Sequence, residues 1–401
     1  MNVLFLTLVE INSVEERGIY QDLLRKFRDE GHNVTILTPV ERRRKIPTNL
    51  IQKEGVSLLQ VKTLNIQKTH IIEKGIGTLV IEYQYLYAIK KFFPFKKFDL
   101  ILYSTPPITL VKVIEYIKNR DGARTYLLLK DIFPQNAVDM KMLTKGSFLH
   151  QQFEKKEKKL YHISDTIGCM SPANVDFVLS HNPKIESSKV EVNPNTIEPK
   201  DFNFSEAQKM AIRRKYNVPV DKKILVYGGN LGKPQGLDFL LETITTTTHK
   251  SLFFLVVGDG TEFLRIQEWF SKTKPKNALI LQRLPKEDYD QLLSSCDVGL
   301  IFLNKHFLIP NFPSRLLSYL EMKMPVIVAT DCNTDIGDII ENANCGYKVL
   351  SGDQDEMQIK LSKLLFEDNL EQLGNNAFTL LNQEYLVGRS YNIIINSCKN
   401  V

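Results

Sequence analysis

The chain is 401 residues long, 43% hydrophobic and 24% charged, an average globular composition with room for a sizeable core and for two domains of ordinary size. No run of eighteen apolar residues offers a membrane-spanning helix, and five scattered cysteines (Cys169, Cys296, Cys332, Cys345, Cys398) without C-x-x-C spacing argue against structural zinc or a disulfide framework. The formal charge of +6 is unevenly placed: residues 1–200 hold 30 Lys+Arg against 22 Asp+Glu, a net +8, and the other 201 hold 22 against 24, a net −2, so the N-terminal half is the one suited to an anionic partner or surface.

The start, MNVLFLTLVE, lacks a basic n-region and a small-residue cleavage site and reads as a first strand, so the expected location is cytoplasmic. GIYQDLLRKFRDEGH follows with Leu23, Leu24 and Phe27 at helical spacing and Gly31 at its end. NVTILTP, FDLILYS, ARTYLLL and DTIGCMS are further short apolar runs with helical stretches between several of them, a pattern that predicts parallel sheet covered on both faces. Residues 190–203, VEVNPNTIEPKDFN, read as a linker. The alternation then restarts with KILVYG, GLDFLLETI, SLFFLVVGDG, GTEFLRIQEWF, ALILQRLP, DVGLIFL, MPVIVAT and GYKVL. The expected fold class is α/β with two Rossmann-like doubly wound lobes: 1–197, and 205–381, with a C-terminal helix at 382–401 packing back on the first. Ligands of such sheets bind at the carboxyl ends of the strands, so an interdomain cleft is the expected site.

YGGNLGKPQG, from Tyr227, places four glycines and Lys233 between a strand and a helix. Bare backbone lets N–H groups approach an anion, and the following helix N-terminus favours negative charge. The spacing is neither the dinucleotide G-x-G-x-x-G nor a P-loop, and a tight turn with an exposed lysine explains it equally well. PNFPSRLLSYLEMKMPVIVAT, residues 310–330, starts a helix at Pro313-Ser314, with Ser314 as its cap and Arg315 in its first turn. A first-turn cation opposes the helix dipole and wants a reason such as a bound anion; an ordinary αβ unit with solvated charges is the alternative. The seven histidines show no metal-ligand spacing, and Ser104 and Ser171 lack a G-x-S-x-G context.

Taken together, the Gly-Gly-Asn-Leu-Gly-Lys-x-Gln-Gly run, VVGDG, LQRLPKEDYDQLLSSCDVGLIFL, Pro-Ser-Arg…Pro-Val and ENANCGYKVLSGD resemble the donor half of family 4 glycosyltransferases of the GT-B fold. RGIYQDLLRKFRDEGHNVTILTP, KDIFPQNAVDM and SDTIGCMSPAN…VNPN resemble the N-terminal half of the deoxyamino-sugar transferases of bacterial capsule and O-antigen pathways. The resemblance implies a retaining, metal-independent enzyme with no cofactor, moving a hexosyl or N-acetylhexosaminyl group from a nucleotide-sugar, UDP-linked by analogy with that subgroup, to a polyprenyl-diphosphate-linked saccharide or other glycan. It implies that Gly229, Gly232 and Lys233, with Asn230 and Gln235 on the same loop, grip the diphosphate and that Gly258 passes close to the nucleotide. It places the Leu284 backbone on the base, Ser314 and Arg315 on the phosphates, Gly18 against the sugar-phosphate, and Asp131 on the acceptor side near the reacting carbon. Asp131 as a cap of the turn before Pro134 is the plainer reading of that residue.

Three departures from the family pattern stand in the sequence. Asn230 and Gln235 stand where many members carry arginine and lysine, a change that recurs in the subgroup. The Glu-x7-Glu pair falls on Pro310 and Ser318, leaving Glu321, one turn beyond Ser318, as the carboxylate that would reach the same region. Lys323 replaces the glycine before the Pro-Val strand. The missing pair leaves room for a same-fold nucleotide-sugar 2-epimerase, and a non-catalytic partner binding sugar-nucleotide or glycan is a further alternative. FFPFKKF (residues 92–98) and FLHQQFEKKEKKLYHI, with Phe148, Leu149, Phe153 and Leu160 near one face and lysines at 155, 156, 158 and 159, are suited either to peripheral contact with an anionic inner-membrane surface or to ordinary surface helices. No nucleic-acid motif is present.

Overall fold

The computed structural model describes residues 1–66, 71–366 and 368–399. The chain divides into two compact units, residues 1–197 with the C-terminal helix Val387–Lys399, and residues 198–386. In the first unit β1 (Asn2–Leu6), β2 (Asn33–Glu41), β3 (Asn49–Lys53), β4 (Val56–Thr63), β5 (Leu100–Ser104), β6 (Arg124–Leu129), β7 (Thr166–Cys169) and β8 (Val190–Val192) form one sheet in the order β3-β4-β2-β1-β5-β6-β7-β8. β3 runs antiparallel to β4 and the other pairs run parallel. All five residues of β5 are buried, which is why the central strands read as unbroken apolar runs and not as alternations.

Two elements escaped the sequence reading. The β3–β4 hairpin turns at Glu54 and Gly55, both at positive φ (53° and 75°), a turn that QKEGV does not advertise as Asn-Gly would. β8 takes the first three residues of the supposed linker as a short strand beside β7. The return of the chain to the first unit also starts later than 382. The helix Leu370–Glu384 belongs to the second unit, and the packing helix begins at Val387. Its Ile394 is buried among Val3, Phe5 and Phe27, and its Tyr391 sits edge-on to Phe27 at 4.9 Å with its hydroxyl 2.9 Å from His32 Nε2. Asn400 and Val401 lie outside the described residues.

The second unit is a six-stranded parallel sheet: β9 (Lys223–Asn230), β10 (Leu252–Asp259), β11 (Ala278–Gln282), β12 (Val298–Phe302), β13 (Val326–Thr330) and β14 (Gly346–Leu350), ordered β11-β10-β9-β12-β13-β14. This is the 3-2-1-4-5-6 order of a Rossmann sheet, with its switch point between β9 and β12, where ligands of such sheets bind. Linker residues 198–204 are counted with this unit.

The surface stretches singled out in the sequence are more buried than expected. Phe93 and Phe98 are core residues stacked edge-on at 5.9 Å, and Lys96 Nζ donates to Thr35 Oγ1 at 2.9 Å, leaving Phe95 at 94% exposure. On the helix Phe148–Ile163, Leu160 is fully buried and Phe153 packs on Phe133 at 5.0 Å, so that face belongs to the core. Phe148 and Leu149 at its start are exposed. Among the described residues no helix is long and apolar enough to cross a membrane.

β9 and β10 are in register with Gly229 opposite Gly258, and a Cβ at Gly258 would lie 2.0 Å from the Gly229 carbonyl oxygen. Backbone cannot swing aside as a side chain does, so Gly258→Ala is expected to destabilise the second unit by about 1–3 kcal/mol, measured as a lowered melting temperature.

Candidate active site

The switch point of the second unit is held open by one side chain. Pairing of β12 with β9 is confined to Val298 and Gly299, opposite Leu225 and Val226. Beyond that the strands diverge, and the Tyr319 hydroxyl fills the gap: it receives the Gly228 N–H at 3.1 Å and lies 3.2 Å from both the Val226 and Leu300 carbonyls. Tyr319 belongs to the short helix Arg315–Glu321, so this bond fixes the helix, and with it Arg315, against the carboxyl end of β9.

Arg315 is oriented by two neighbours. Its guanidinium carbon stands 4.4 Å from the centre of the Tyr227 ring, a stacking geometry that suits a planar cation. Its Nη2 donates to Gln235 Oε1. The Tyr227 hydroxyl donates to the Asn230 carbonyl at 2.8 Å and also lies 3.3 Å from Gln235 Oε1, tying the cation to the glycine loop itself. Arg315 Nη1 is shielded from solvent and has no hydrogen-bond partner among the described residues. It belongs to a guanidinium packed beside Gly229, whose φ of 125° favours glycine and where a Cβ would stand 3.5 Å from Arg315 Cζ, in ordinary contact. An unsatisfied charged donor in such a place is costly, and an arriving acceptor group would satisfy it.

The other expected residues fall as follows. Lys233 opens the 3-10 turn Lys233–Gln235 and is exposed, with no partner for its ammonium among the described residues. Asn230 is exposed at the end of β9, its side chain alongside Gly232 and Gly260. Leu284 is half-buried in the loop after β11, and its backbone N–H and C=O make no hydrogen bond among the described residues. Gly258 is held to glycine by the Gly229 carbonyl, a packing reason sufficient by itself. Ser314 stands at the N-cap position but in helical backbone, and its hydroxyl makes no capping bond, against the expected role. Ser318 is half-buried one turn after Arg315.

Glu321 is not part of this cluster. It is buried at the far end of its helix, where its carboxylate accepts the Lys200 N–H at 2.7 Å. It lines a cavity of about 900 Å³ with Lys223, Asp297 and Pro325, beside the amino ends of β9, β12 and β13. It lies about 1.7 helical turns beyond Arg315 and beside the amino ends of the strands, away from the glycine loop at the carboxyl end of β9, so it does not stand in for the missing carboxylate pair. Gln235 is also reassigned: its Oε1 is occupied by Arg315 and Tyr227.

Gly18 and Asp131 lie in the first unit at the carboxyl ends of their strands. Gly18 precedes the helix Ile19–Asp29 with extended backbone (φ 172°), and its carbonyl accepts the Asp22 N–H at 2.8 Å. Asp131 follows β6. Its backbone is clamped to Thr105, whose hydroxyl donates to the Asp131 carbonyl at 2.9 Å and accepts the Lys130 N–H at 3.1 Å. Its carboxylate receives Asn136 Nδ2 at 2.6 Å. Burial pushes the carboxyl up from 3.8 to about 6, opposed by the Ile132 N–H and the Asn136 amide. The carboxylate thus stabilises the turn that follows β6.

Lys130, its neighbour, went unremarked in the sequence. It turns away from Asp131 to place Nζ 3.3 Å from the Asn193 carbonyl, and burial pulls its ammonium down to about 7. Tyr227 and Tyr319 were likewise read as ordinary strand and helix residues. The Lys-Asp and Tyr-Gly-Gly juxtapositions are visible, but nothing in the sequence tells that the tyrosines are buried and that Lys130 and Asp131 are half-buried. Among the described residues no group of three or more His, Cys, Asp or Glu is placed to hold a metal ion.

Residues 208–379 match the family described as glycosyl transferases group 1. The chain is 20% identical over 371 residues to the probable glycosyltransferase WbjE of Pseudomonas aeruginosa, covering 91% of this chain and 89% of that protein. It is 24% identical over 266 residues to the putative colanic acid biosynthesis glycosyl transferase WcaI of Escherichia coli (strain K12), covering 64% of each. Among solved structures it is similar to the sucrose-phosphate synthase of Thermosynechococcus elongatus (TM-score 0.75, 14% identity, 99% of this chain and 98% of that one). It is also similar to Anabaena HepE in complex with UDP (TM-score 0.71, 13% identity, all of both chains). The fold is GT-B. A glycosyl transferases group 1 domain thus occupies most of the second unit.

A carboxyl that holds its proton more tightly folded than unfolded stabilises the fold fully below pH 3.8, and the benefit is lost as pH rises through about 6. Asp131→Asn is therefore expected to match the wild type near pH 4 and to exceed it at pH 7.5 by up to about 3 kcal/mol, read as a difference in denaturant midpoint that opens between those pH values.

Proposed function

We propose that this chain is a glycosyltransferase that moves a hexosyl or N-acetylhexosaminyl group, with retention and without a metal, from a UDP-linked sugar to a polyprenyl-diphosphate-linked saccharide or other glycan. The product would serve capsule, O-antigen or exopolysaccharide synthesis. The unpartnered Arg315 Nη1 beside Gly229 carries the reading: a diphosphate oxygen is the acceptor that such a donor wants at a Rossmann switch point. The UDP held by the similar HepE structure and the polysaccharide context in the name of WcaI agree with it.

In this mechanism the bond from the sugar's anomeric carbon to the β-phosphate oxygen breaks, and the acceptor hydroxyl oxygen takes its place on the same face. The hydroxyl proton leaves on the departing phosphate. Positive character builds on the sugar and negative charge on the diphosphate. Arg315, Lys233 and the N–H groups of Gly229 and Gly232 are preorganised for that negative charge, and Ser314 and Asn230 add polar contacts at its margin. Leu284's unused N–H and C=O pair with the base. Asp131 orients the acceptor hydroxyl or steadies the cation-like sugar, with Gly18 beside the sugar-phosphate. Peripheral attachment to an anionic membrane on the cytoplasmic side rests on the basic first half and on the exposed Phe95, Phe148 and Leu149.

A thermal-shift panel with UDP, GDP, dTDP, ADP and CMP in EDTA is the direct test. UDP at a hundred times its Kd is expected to add about 2.7 kcal/mol, and the other nucleotides little; no response to any of them would refute the donor site. Arg315→Ala is expected to abolish the UDP shift and to lower kcat by about 10²–10³-fold.

A further inference from the structure

Gln235 touches two donors through one oxygen. Its side chain is buried, and Oε1 takes the Arg315 Nη2 proton and lies within 3.3 Å of the Tyr227 hydroxyl. That oxygen is an amide's, so it anchors the guanidinium without carrying charge of its own. With the Tyr227 ring under the cation at 4.4 Å, the bond fixes both the plane of the guanidinium and its rotation in that plane, and the nitrogen left over is the unpartnered Nη1. We propose that Gln235 is a positioning residue: a neutral clamp that holds Arg315 at the glycine loop with its full positive charge unspent. The proposal rests on the reading of Arg315 as the diphosphate ligand.

Charge at this position decides the outcome. A glutamate would accept the same proton more strongly and form a salt bridge with Arg315 out of bulk solvent, cancelling the field that a diphosphate is meant to meet. A methionine would keep the volume and remove the acceptor, leaving Arg315 stacked on Tyr227 but free to turn. A lysine would set a second cation against the first and drive Arg315 out of its seat. Gln235 Oε1 is already engaged by Arg315 and Tyr227 and is not offered to the ligand, so each substitution reaches the ligand through Arg315 and the tyrosine beneath it.

The test compares UDP with UMP, the phosphate count being the only difference between the probes, by calorimetric titration of wild type, Gln235→Glu, Gln235→Met, Arg315→Ala and the double variant Arg315→Ala/Gln235→Glu. Gln235→Glu is expected to weaken UDP roughly tenfold or more while changing UMP by much less. Gln235→Met is expected to lie between wild type and Gln235→Glu. In the Arg315→Ala background Gln235→Glu should have no further effect on UDP, the signature of a residue acting through another. If Gln235→Glu weakens UDP equally with and without Arg315, Gln235 meets the nucleotide directly and the clamp is overturned. The same holds if Gln235→Glu leaves UDP affinity at the wild-type value. If instead Arg315→Ala binds UDP as the wild type does, the diphosphate reading itself has failed, a separate outcome from failure of the clamp. Should Gln235→Glu not fold, Gln235→Met carries the same cycle, since loss of the acceptor also acts through Arg315.

Discussion

The divergence of β9 from β12, bridged by the Tyr319 hydroxyl, is the constraint from which the donor side of the molecule follows. Adjacent parallel strands that part leave N–H and C=O groups exposed to a buried gap, where each would cost free energy if unpaired. One phenol satisfies the Gly228 N–H and lies within reach of the Val226 and Leu300 carbonyls. It does so from a helix, which thereby cannot slide along the sheet. Because Arg315 is the first residue of that helix and Tyr319 lies one turn on, the position of the cation is set by a hydrogen bond inside the core and not by its own surface contacts.

Around this anchor the glycines have distinct tasks, which is why a single account of the glycine-rich run fails. Gly228 leaves space for the Tyr289 hydroxyl, and Gly258 for the Gly229 carbonyl. Gly229 alone combines positive φ with proximity to the Arg315 guanidinium. The phosphate reading of the sequence therefore rests on one glycine and one arginine. Gly228, Gly236 and Gly258 would be needed by packing against Tyr289, the Leu303 backbone and the Gly229 carbonyl even if nothing bound there.

How much the sequence reveals depends on what each residue's task is. Long apolar runs such as ILVYG, FFLVV and GLIF disclosed the parallel strands, since burial on both faces leaves little freedom of residue type. The β3–β4 hairpin and β8 were missed because short strands with mixed burial have no period to detect. Arg315 was legible because a cation in a first helical turn is locally disfavoured and so asks for a cause. Glu321 was misjudged because helical spacing places a residue on a turn but does not say which end of a sheet that turn approaches; the Lys200 N–H that claims it comes from a linker 121 residues away. Gln235 was counted as a ligand because nothing local distinguishes an amide that meets a nucleotide from one that holds the residue that does.

The two units share a physical strategy. Arg315 leaves a guanidinium nitrogen unsatisfied in the second. In the first, Lys130 and Asp131 are adjacent in sequence yet turn apart, the ammonium toward Asn193 and the carboxylate toward Asn136, with burial acting against the charge of each. Pairing the two with each other would relieve both. A fold selected for stability alone would close such a pair or replace it with apolar side chains, since buried charges without partners are among the costlier things a core can hold. Kept apart, the carboxylate and the ammonium face neutral partners, the Asn136 amide and the Asn193 carbonyl, just beyond the carboxyl end of β6.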